Sequence, residues 1–104
     1  MDSTAELRVL RIARALGDPT RFLIYKHIID AGEIRCGDIS LDSPVRASTV
    51  SHHLKVLSGA GLVCSRREGQ GVYYKALPSC LDGYLRYMRD FERKGSIQQS
   101  SHAR

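Results

Sequence analysis

Two adjacent histidines, His52 and His53, lie among serines and a lysine in the stretch STVSHHLKVLSGAGL, residues 48–62. An imidazole ring can bind a metal ion, transfer a proton or make hydrogen bonds through its two nitrogens. Two metal ligands on one helix usually stand four residues apart, because side chains at i and i+4 share a face. Neighbouring residues on a helix point about 100° apart, so this pair does not predict a shared metal site.

Catalysis by the two histidines is not predicted either. A nucleophilic site needs a nucleophile beside a base, an orienting acid and donors that stabilise an oxyanion. The residues around His52 and His53 include no acid and no glycine-flanked nucleophile. The sequence therefore predicts a protein that is not an enzyme and has no catalytic residues.

The helix expected around these histidines has two different sides. Apolar Val50, Leu54 and Leu57 fall in one narrow sector of a helical wheel, and His53 lies at its edge. The opposite side can enter the ~12 Å wide major groove of DNA, where base edges display a distinguishable pattern of donors and acceptors. We expect His52 to read bases and His53 to pack or to contact a phosphate. The opposite side consists of Ser48, Ser51, His52 and Lys55.

Positive charge is concentrated around the same helix. The 104-residue chain has a formal net charge of +5, and residues 46–75 contain five basic side chains and one acid. Such a field favours a polyanionic partner such as nucleic acid. For the turn EGQG, residues 68–71, the alternative to contact with phosphate or the minor groove is an ordinary solvated loop with scattered charges. The cations that we expect to contact phosphates are Arg46, Arg66, Arg67 and Lys75.

Four helices are predicted in the first 60 residues from apolar residues at intervals of three and four. Asp18 is expected to cap the second helix and Pro19 to occupy its first position. The short third helix should point Ile39 inward, and Gly61 should end the fourth in a left-handed conformation. The expected ranges are 3–16, 19–30, 35–41 and 47–60.

A β-hairpin and a last helix follow. LVCSRR and VYYKAL alternate with a period of two on either side of EGQG, which predicts two antiparallel strands. The last helix begins near Pro78 and carries an apolar stripe that needs a covering surface. Residues 95–104 are polar without periodicity, so we expect one domain, residues 1–94, and a disordered tail. The stripe consists of Leu81, Tyr84, Leu85, Met88 and Phe91.

The three cysteines, Cys36, Cys64 and Cys80, are an odd number and lie far apart in the sequence. They do not form the pattern of a disulfide framework and suit a reducing compartment. The N-terminus lacks the apolar run of a signal peptide, and no stretch approaches the ~20 apolar residues that span a bilayer. We therefore expect a cytoplasmic protein with no membrane partner.

Three strings of the sequence are similar to those of a known protein family. ALGDPTRFLIYKHI, STVSHHLKVLSGAGLV and RREGQGVYYKAL resemble the ArsR/SmtB family of bacterial winged helix-turn-helix repressors, and the resemblance extends from about Leu10 to Met88. It implies a mostly α fold with a small β-hairpin as the wing. It also implies that the fourth helix is the recognition helix. Its residues that would read or approach bases are Ser48, Thr49, Ser51, His52 and Lys55.

One departure from the family concerns the start of the recognition helix. Arg46 stands where family members often have Ser or Thr, so the usual N-cap oxygen is absent. Loss of such a cap costs ~1 kcal/mol. We expect Ser48 to cap the helix one turn later.

The resemblance implies a homodimer that pairs through its first and last helices and binds double-stranded operator DNA, with no RNA partner expected. Pairing would place two recognition helices one turn of DNA apart, ~34 Å. The rival interpretation is a winged-helix interaction module that docks an acidic protein partner. The expected interface residues are Val9, Ile12, Leu81, Tyr84, Leu85 and Met88.

Members of the family commonly release DNA when a metal ion or a thiol-reactive agent binds. The family's thiolate string on the third helix corresponds here to EIRCGDI, which retains only Cys36. At the start of a helix, a thiol would be made reactive by the macrodipole. A zinc site on the last helix is not expected, because no histidine lies between Tyr84 and Gly95. Arsenite or a soft metal held by Cys36, Cys64 and Cys80, redox or persulfide sensing, and no inducer all remain open.

Overall fold

The structure, a computed structural model, describes residues 3–39 and 46–101. Helices and a small sheet alternate along this part of the chain, which is the mostly α architecture with a β wing that the sequence predicts. The helices are α1 (Ser3–Leu16), α2 (Pro19–Ala31), α3 (Ala47–Gly59) and α4 (Pro78–Ser101), and the strands are β1 (Glu33–Arg35), β2 (Val63–Glu68) and β3 (Gly71–Ala76).

The junction between α1 and α2 follows the predicted capping. The Asp18 side chain accepts a hydrogen bond from the backbone N–H of Arg21 at 2.9 Å, and Pro19 opens α2. At the other end of α2, Gly32 adopts a φ of +78° and donates its N–H to the carbonyls of Ile28 and Ile29. Glycine is suited to this position because the left-handed region strains residues with a Cβ.

The predicted short third helix at residues 35–41 is wrong over the part that the structure describes. Arg35 belongs to strand β1, and only Cys36–Asp38 form a single 3₁₀ turn. Ile39 follows with extended backbone, and its side chain packs on the core as expected. Residues 40 and 41 lie outside the described range. Cys36 therefore does not open a helix, and the macrodipole argument for a reactive thiol there is lost.

The sheet has three strands in the order β1-β3-β2, all antiparallel. The predicted hairpin is confirmed, and β1 is an unpredicted third strand that pairs Ile34 with Tyr74. Gly69, at φ +60°, opens the two-residue turn between β2 and β3. Because side chains alternate along each strand, Ile34, Tyr74 and Val63 share the face that packs on the helices.

The core lies between that sheet face and helices α1, α2 and α3. Each helix contributes one apolar stripe, and the turn after α3 adds Leu62. Gly61, at φ +82°, makes this turn possible, as predicted. The fully buried large side chains are Ile24, Ile28, Leu54, Leu57, Leu62 and Val63.

Helix α4 extends away from this core. Its 24 residues span ~36 Å, and the longest dimension of the structure is 59 Å. Only its first turns pack on the core, through Cys80 and Tyr84. A disordered tail was expected at residues 95–104, but residues 95–101 continue this helix, and residues 102–104 lie outside the described range. Among the described helices, none combines the length and the apolar character needed to cross a membrane.

Replacement of Leu54 by alanine tests the core beneath α3. Leu54 is fully buried, so Leu54→Ala should lower the free energy of unfolding by about 2–5 kcal/mol, through lost burial and the cavity left behind. Ser58→Ala on the exposed side of the same helix should change it by less than about 0.5 kcal/mol. Urea denaturation at one protein concentration measures both variants. Equal midpoints for the two would contradict this packing.

Candidate nucleic-acid interface

The two sides of α3 differ as the sequence predicts. Val50, Leu54 and Leu57 are buried against the core. The opposite side is exposed along the helix, and no acidic residue lies in α3. This side offers hydroxyls, an imidazole and one ammonium group to solvent, all of which can hydrogen-bond with base edges or phosphates. Its exposed residues are Ser48, Thr49, Ser51, His52 and Lys55.

The first turn of α3 has no side-chain cap. Arg46 is the N-cap residue, its backbone carbonyl accepts from the N–H groups of Thr49 and Val50, and its side chain makes no capping bond. The expectation that Ser48 caps the helix one turn later is wrong, because the helix already begins at Ala47. A helix N-terminus beside exposed Arg46 combines the positive end of the helix dipole with a cation, which suits a phosphate.

The two histidines have different surroundings. His52 is exposed, whereas His53 is only 7% exposed and packs at the edge of the core. Their ring centroids are 5.8 Å apart. Nδ1 of His53 lies 3.2 Å from Nη1 of Arg21 on α2. The packing role expected for His53 is therefore what the structure has, with a polar partner that the sequence did not suggest.

Arg21 connects three helices. Its Nε donates to the carbonyl of Ala15 at 2.6 Å and its Nη2 to that of Arg14 at 3.0 Å, so the guanidinium closes the last turn of α1. Its third contact is the one to His53 of α3. Sequence reasoning missed this role. The signal was the string Asp-Pro-Thr-Arg, which places the arginine three residues after the N-cap of α2, where it can reach back to α1.

Asp18, Arg21 and His53 form a network in which the pKa values of His53 and Asp18 are both lowered, for different reasons. Burial lowers the pKa of His53, an effect opposed by the carboxylate of Asp18 and reinforced by the charges of Arg21 and His52. The pKa of Asp18 is lowered, chiefly because its carboxylate accepts the backbone N–H of Arg21. At neutral pH the network therefore contains a neutral imidazole and an ionised carboxylate.

On the wing, Arg66 is engaged with carboxylates of its own chain. Its guanidinium donates to both carboxylate oxygens of Glu33, at 2.9 and 2.7 Å, and to Glu68 at 2.6 Å. It also lies 4.7 Å from the ring centroid of Tyr73. These bonds raise the pKa of Arg66 and lower that of Glu33. Two carboxylates of the same chain therefore already balance the charge of Arg66.

Arg67 and Lys75 lie on opposite faces of the sheet. Arg67 is paired with Val72, one residue from the turn, and projects from the face turned towards the helices. Lys75 pairs with Glu33 and Cys64 on the outer face, about 13 Å along β3 from the turn. Both side chains are exposed. The structure therefore brings Arg67, but not Lys75, to the tip of the wing.

The three candidate thiols stand apart. Cys36 and Cys80 are partly buried against the core, and Cys64 projects from the outer face of the sheet. The Cys80 thiol lies 3.6 Å from the carbonyl of Ala60, and burial raises its pKa. Within residues 3–39 and 46–101, no three His, Cys, Asp or Glu side chains are grouped so that they could hold a metal ion. A three-thiol site within one chain is therefore not formed.

The expected interface residues lie on α1 and α4, but Ile12 is buried within its own chain. Ile12 is only 3% exposed and belongs to the chain's own core. Val9 and Tyr84 line a groove of about 430 Å³ between the two helices, and Leu81 on α4 is half-buried. Leu85 and Met88 are exposed further along α4. Sequence reasoning missed the exposed apolar residues Leu7 and Leu10, which stand on the side of α1 opposite Ile12.

Comparison with known proteins agrees with this geometry. Residues 18–65 match the model of a family described as bacterial regulatory protein, arsR family. The chain is 31% identical over 84 residues to the transcriptional repressor SdpR of Bacillus subtilis, a match that covers 81% of this chain and 92% of that protein. It is 38% identical over 81 residues to the regulator CmtR of Mycobacterium tuberculosis, covering 75% of this chain and 68% of that one.

The fold has a counterpart among solved structures. An ArsR-like transcriptional regulator from Rhodococcus sp. RHA1 superposes with a TM-score of 0.84 at 23% identity, covering 92% of this chain and 90% of that one. At this level of identity the comparison supports the winged-helix fold alone. The inference about function rests on the sequence relatives SdpR and CmtR.

Proposed function

This chain belongs to the ArsR family of bacterial regulatory proteins, and we propose that it is a dimeric repressor that inserts α3 into the major groove of operator DNA. The observation that carries the proposal is the exposed, acid-free side of α3 on a helix whose other side is fixed in the core. A rigid helix with short polar side chains can hold its donors and acceptors against base edges.

Specific contacts are assigned by position and charge. Ser48, Thr49, Ser51, His52 and Lys55 are proposed to read or approach bases, and Arg46 and Arg67 to contact phosphates. Arg66, which the sequence placed among the phosphate contacts, is proposed instead to hold the wing together through Glu33 and Glu68. Lys75 would contribute to the positive field without reaching the tip.

Dimerisation is proposed through α1 and α4. The groove between them is lined by apolar and aromatic side chains, among them Val9, Tyr84 and Tyr87. Beyond the groove, the exposed residues Leu85, Met88 and Phe91 continue the apolar stripe of α4, and Phe91 is 67% exposed. Exposed apolar side chains grouped beside a groove on a small protein typically mark a protein interface. A second copy covering it would also supply the second recognition helix that a near-palindromic operator needs.

An inducer is proposed to act through a single thiol rather than a cluster. Cys36 and Cys80 each touch the core, so a group added to either sulfur would strain the packing, which typically costs about 1–3 kcal/mol. Cys80 is the better placed of the two, because its sulfur contacts Ala60 immediately after α3. Arsenite or a soft metal would need further ligands beyond the one thiol.

Replacement of His52 tests base reading. His52→Ala should weaken binding to an operator, selected from random duplexes, by about 1–3 kcal/mol while nonspecific binding changes little. His27→Ala removes an exposed histidine from α2 and should leave both unchanged. Fluorescence anisotropy with the selected and a scrambled duplex measures the effect. Weak, sequence-blind binding by the unaltered protein would favour a module that docks an acidic protein instead.

Salt dependence separates the two neighbouring wing arginines. Arg67→Ala should reduce the slope of log affinity against log salt by about 0.9 for each wing that contacts DNA, because one fewer counterion is released. Arg66→Ala should leave the slope close to that of the unaltered protein, since its charge is already balanced. The reverse order of the two effects would place Arg66, not Arg67, on the phosphates.

Charge placed in the α4 stripe tests the dimer. Leu85→Glu should shift the protein from dimer to monomer in analytical ultracentrifugation, because a buried carboxylate without a partner opposes association. Leu23→Glu is a matched control on α2, since both leucines are 47% exposed. A protein that stays dimeric with Leu85→Glu but dissociates with Leu23→Glu would move the interface to α2.

A further inference from the structure

We propose that the contact between Arg21 and His53 is a proton-sensitive latch that fixes α3 against α1 and α2, so that acidification loosens the recognition helix and weakens operator binding. In this role Arg21 and His53 are positioning residues that do not touch DNA themselves. The effect on DNA rests on the proposed function, whereas the latch itself concerns only the protein.

The protonation state of His53 follows from its partner. A guanidinium has only N–H donors and no acceptor, so the 3.2 Å contact with Arg21 requires Nδ1 of His53 to accept. The ring must therefore be neutral, with its proton on Nε2. Protonation would turn Nδ1 into a donor facing another donor and place two cations at the same distance inside a site that is 7% exposed.

Arg21 cannot move away without cost when His53 is protonated. Its Nε and Nη2 are bound to the carbonyls of Ala15 and Arg14 in the last turn of α1, and the Arg14 carbonyl also accepts the N–H of Gly17 at 3.2 Å. Either these two bonds or the contact to α3 must break. Since the α1 bonds involve two donors at 2.6 and 3.0 Å, the contact with α3 is the one expected to open.

The groups around His53 set the direction of the pH effect. From α2 and its N-cap, Arg21 disfavours the imidazolium and Asp18 favours it, and His52 on α3 itself disfavours it. Together with burial, the balance lowers the pKa of His53 below the ordinary value of 6.5. Below pH 6.5 the unfolded or open protein thus binds more protons than the closed one, so the closed form loses stability as pH falls.

Operator affinity measured between pH 5.0 and 8.0 tests the latch. His53→Asn keeps an acceptor near the position of Nδ1 but cannot titrate. The unaltered protein should lose affinity below about pH 6.5, by up to about tenfold per pH unit for each latch. His53→Asn should bind within a few-fold at pH 7.5 and lose much less on acidification. His27→Asn, on the exposed side of α2, should retain the profile of the unaltered protein.

The comparison between His53→Asn and the unaltered protein also removes the contribution of His52, which both proteins retain. Equal losses of affinity in the two proteins on acidification would overturn the proposal. So would a His53→Asn variant that folds, as judged by its thermal melt, but no longer binds operator at pH 7.5.

A measurement without DNA distinguishes the latch from the proposed function. NMR titration of the free protein should show His53 as the Nε2–H tautomer at neutral pH. Its titration should shift the backbone amides of α3 and of the last turn of α1 with the same midpoint. Titration of His53 without those amide shifts would overturn the latch. Coupled shifts in a protein that binds no DNA specifically would leave the latch standing and reject the repressor function.

Discussion

Leu54 and Leu57 are fully buried beneath α3, and their burial determines which side of that helix faces solvent. Rotation of the helix by one residue, about 100°, would expose both leucines at a cost of about 1.5–3 kcal/mol each. The polar side of α3 therefore faces solvent at a fixed angle, and its own side chains are not needed to hold the helix in that orientation. Arg46, at the start of the helix, and the wing beyond its end lie in places that this orientation dictates.

A second constraint is the guanidinium of Arg21. A domain of about 100 residues has a small core and is only marginally stable, so a link between elements that contributes about 1 kcal/mol matters. The fixed fork of an arginine can satisfy two carbonyls of α1 and one imidazole of α3 from a single position, which a lysine could not do. Because α1 also forms one wall of the groove against α4, it belongs to the proposed dimer interface and also contacts the guanidinium that links it to α3.

In the wing, contacts between strands pair a positive side chain with carboxylates, which the order of residues in the sequence does not reveal. Between residues 46 and 75 the sequence has five basic residues and one acid. Strand β1, which lies outside that range, brings Glu33 into contact with Arg66, and Glu68 binds the same guanidinium. The wing is thereby stiffened, and the positive charge left for a polyanion is smaller than the linear count indicates. Arg67, one residue away, is exposed on the other face of the sheet.

Periodicity and capping chemistry in the sequence alone determined α1, α2, α3, the hairpin and the two sides of the recognition helix, because each depends on residues within a few positions of one another. The resemblance of three strings to the ArsR/SmtB family added the fold and the class of function. The predicted third helix was wrong because the segment EIR, residues 33–35, is too short to show the period of a strand. Only its pairing with β3 makes this segment a strand. The roles of Arg21, Arg66 and the separated thiols depend on side chains far apart in sequence, and only the packing of the helices and the strand register decided which of them meet.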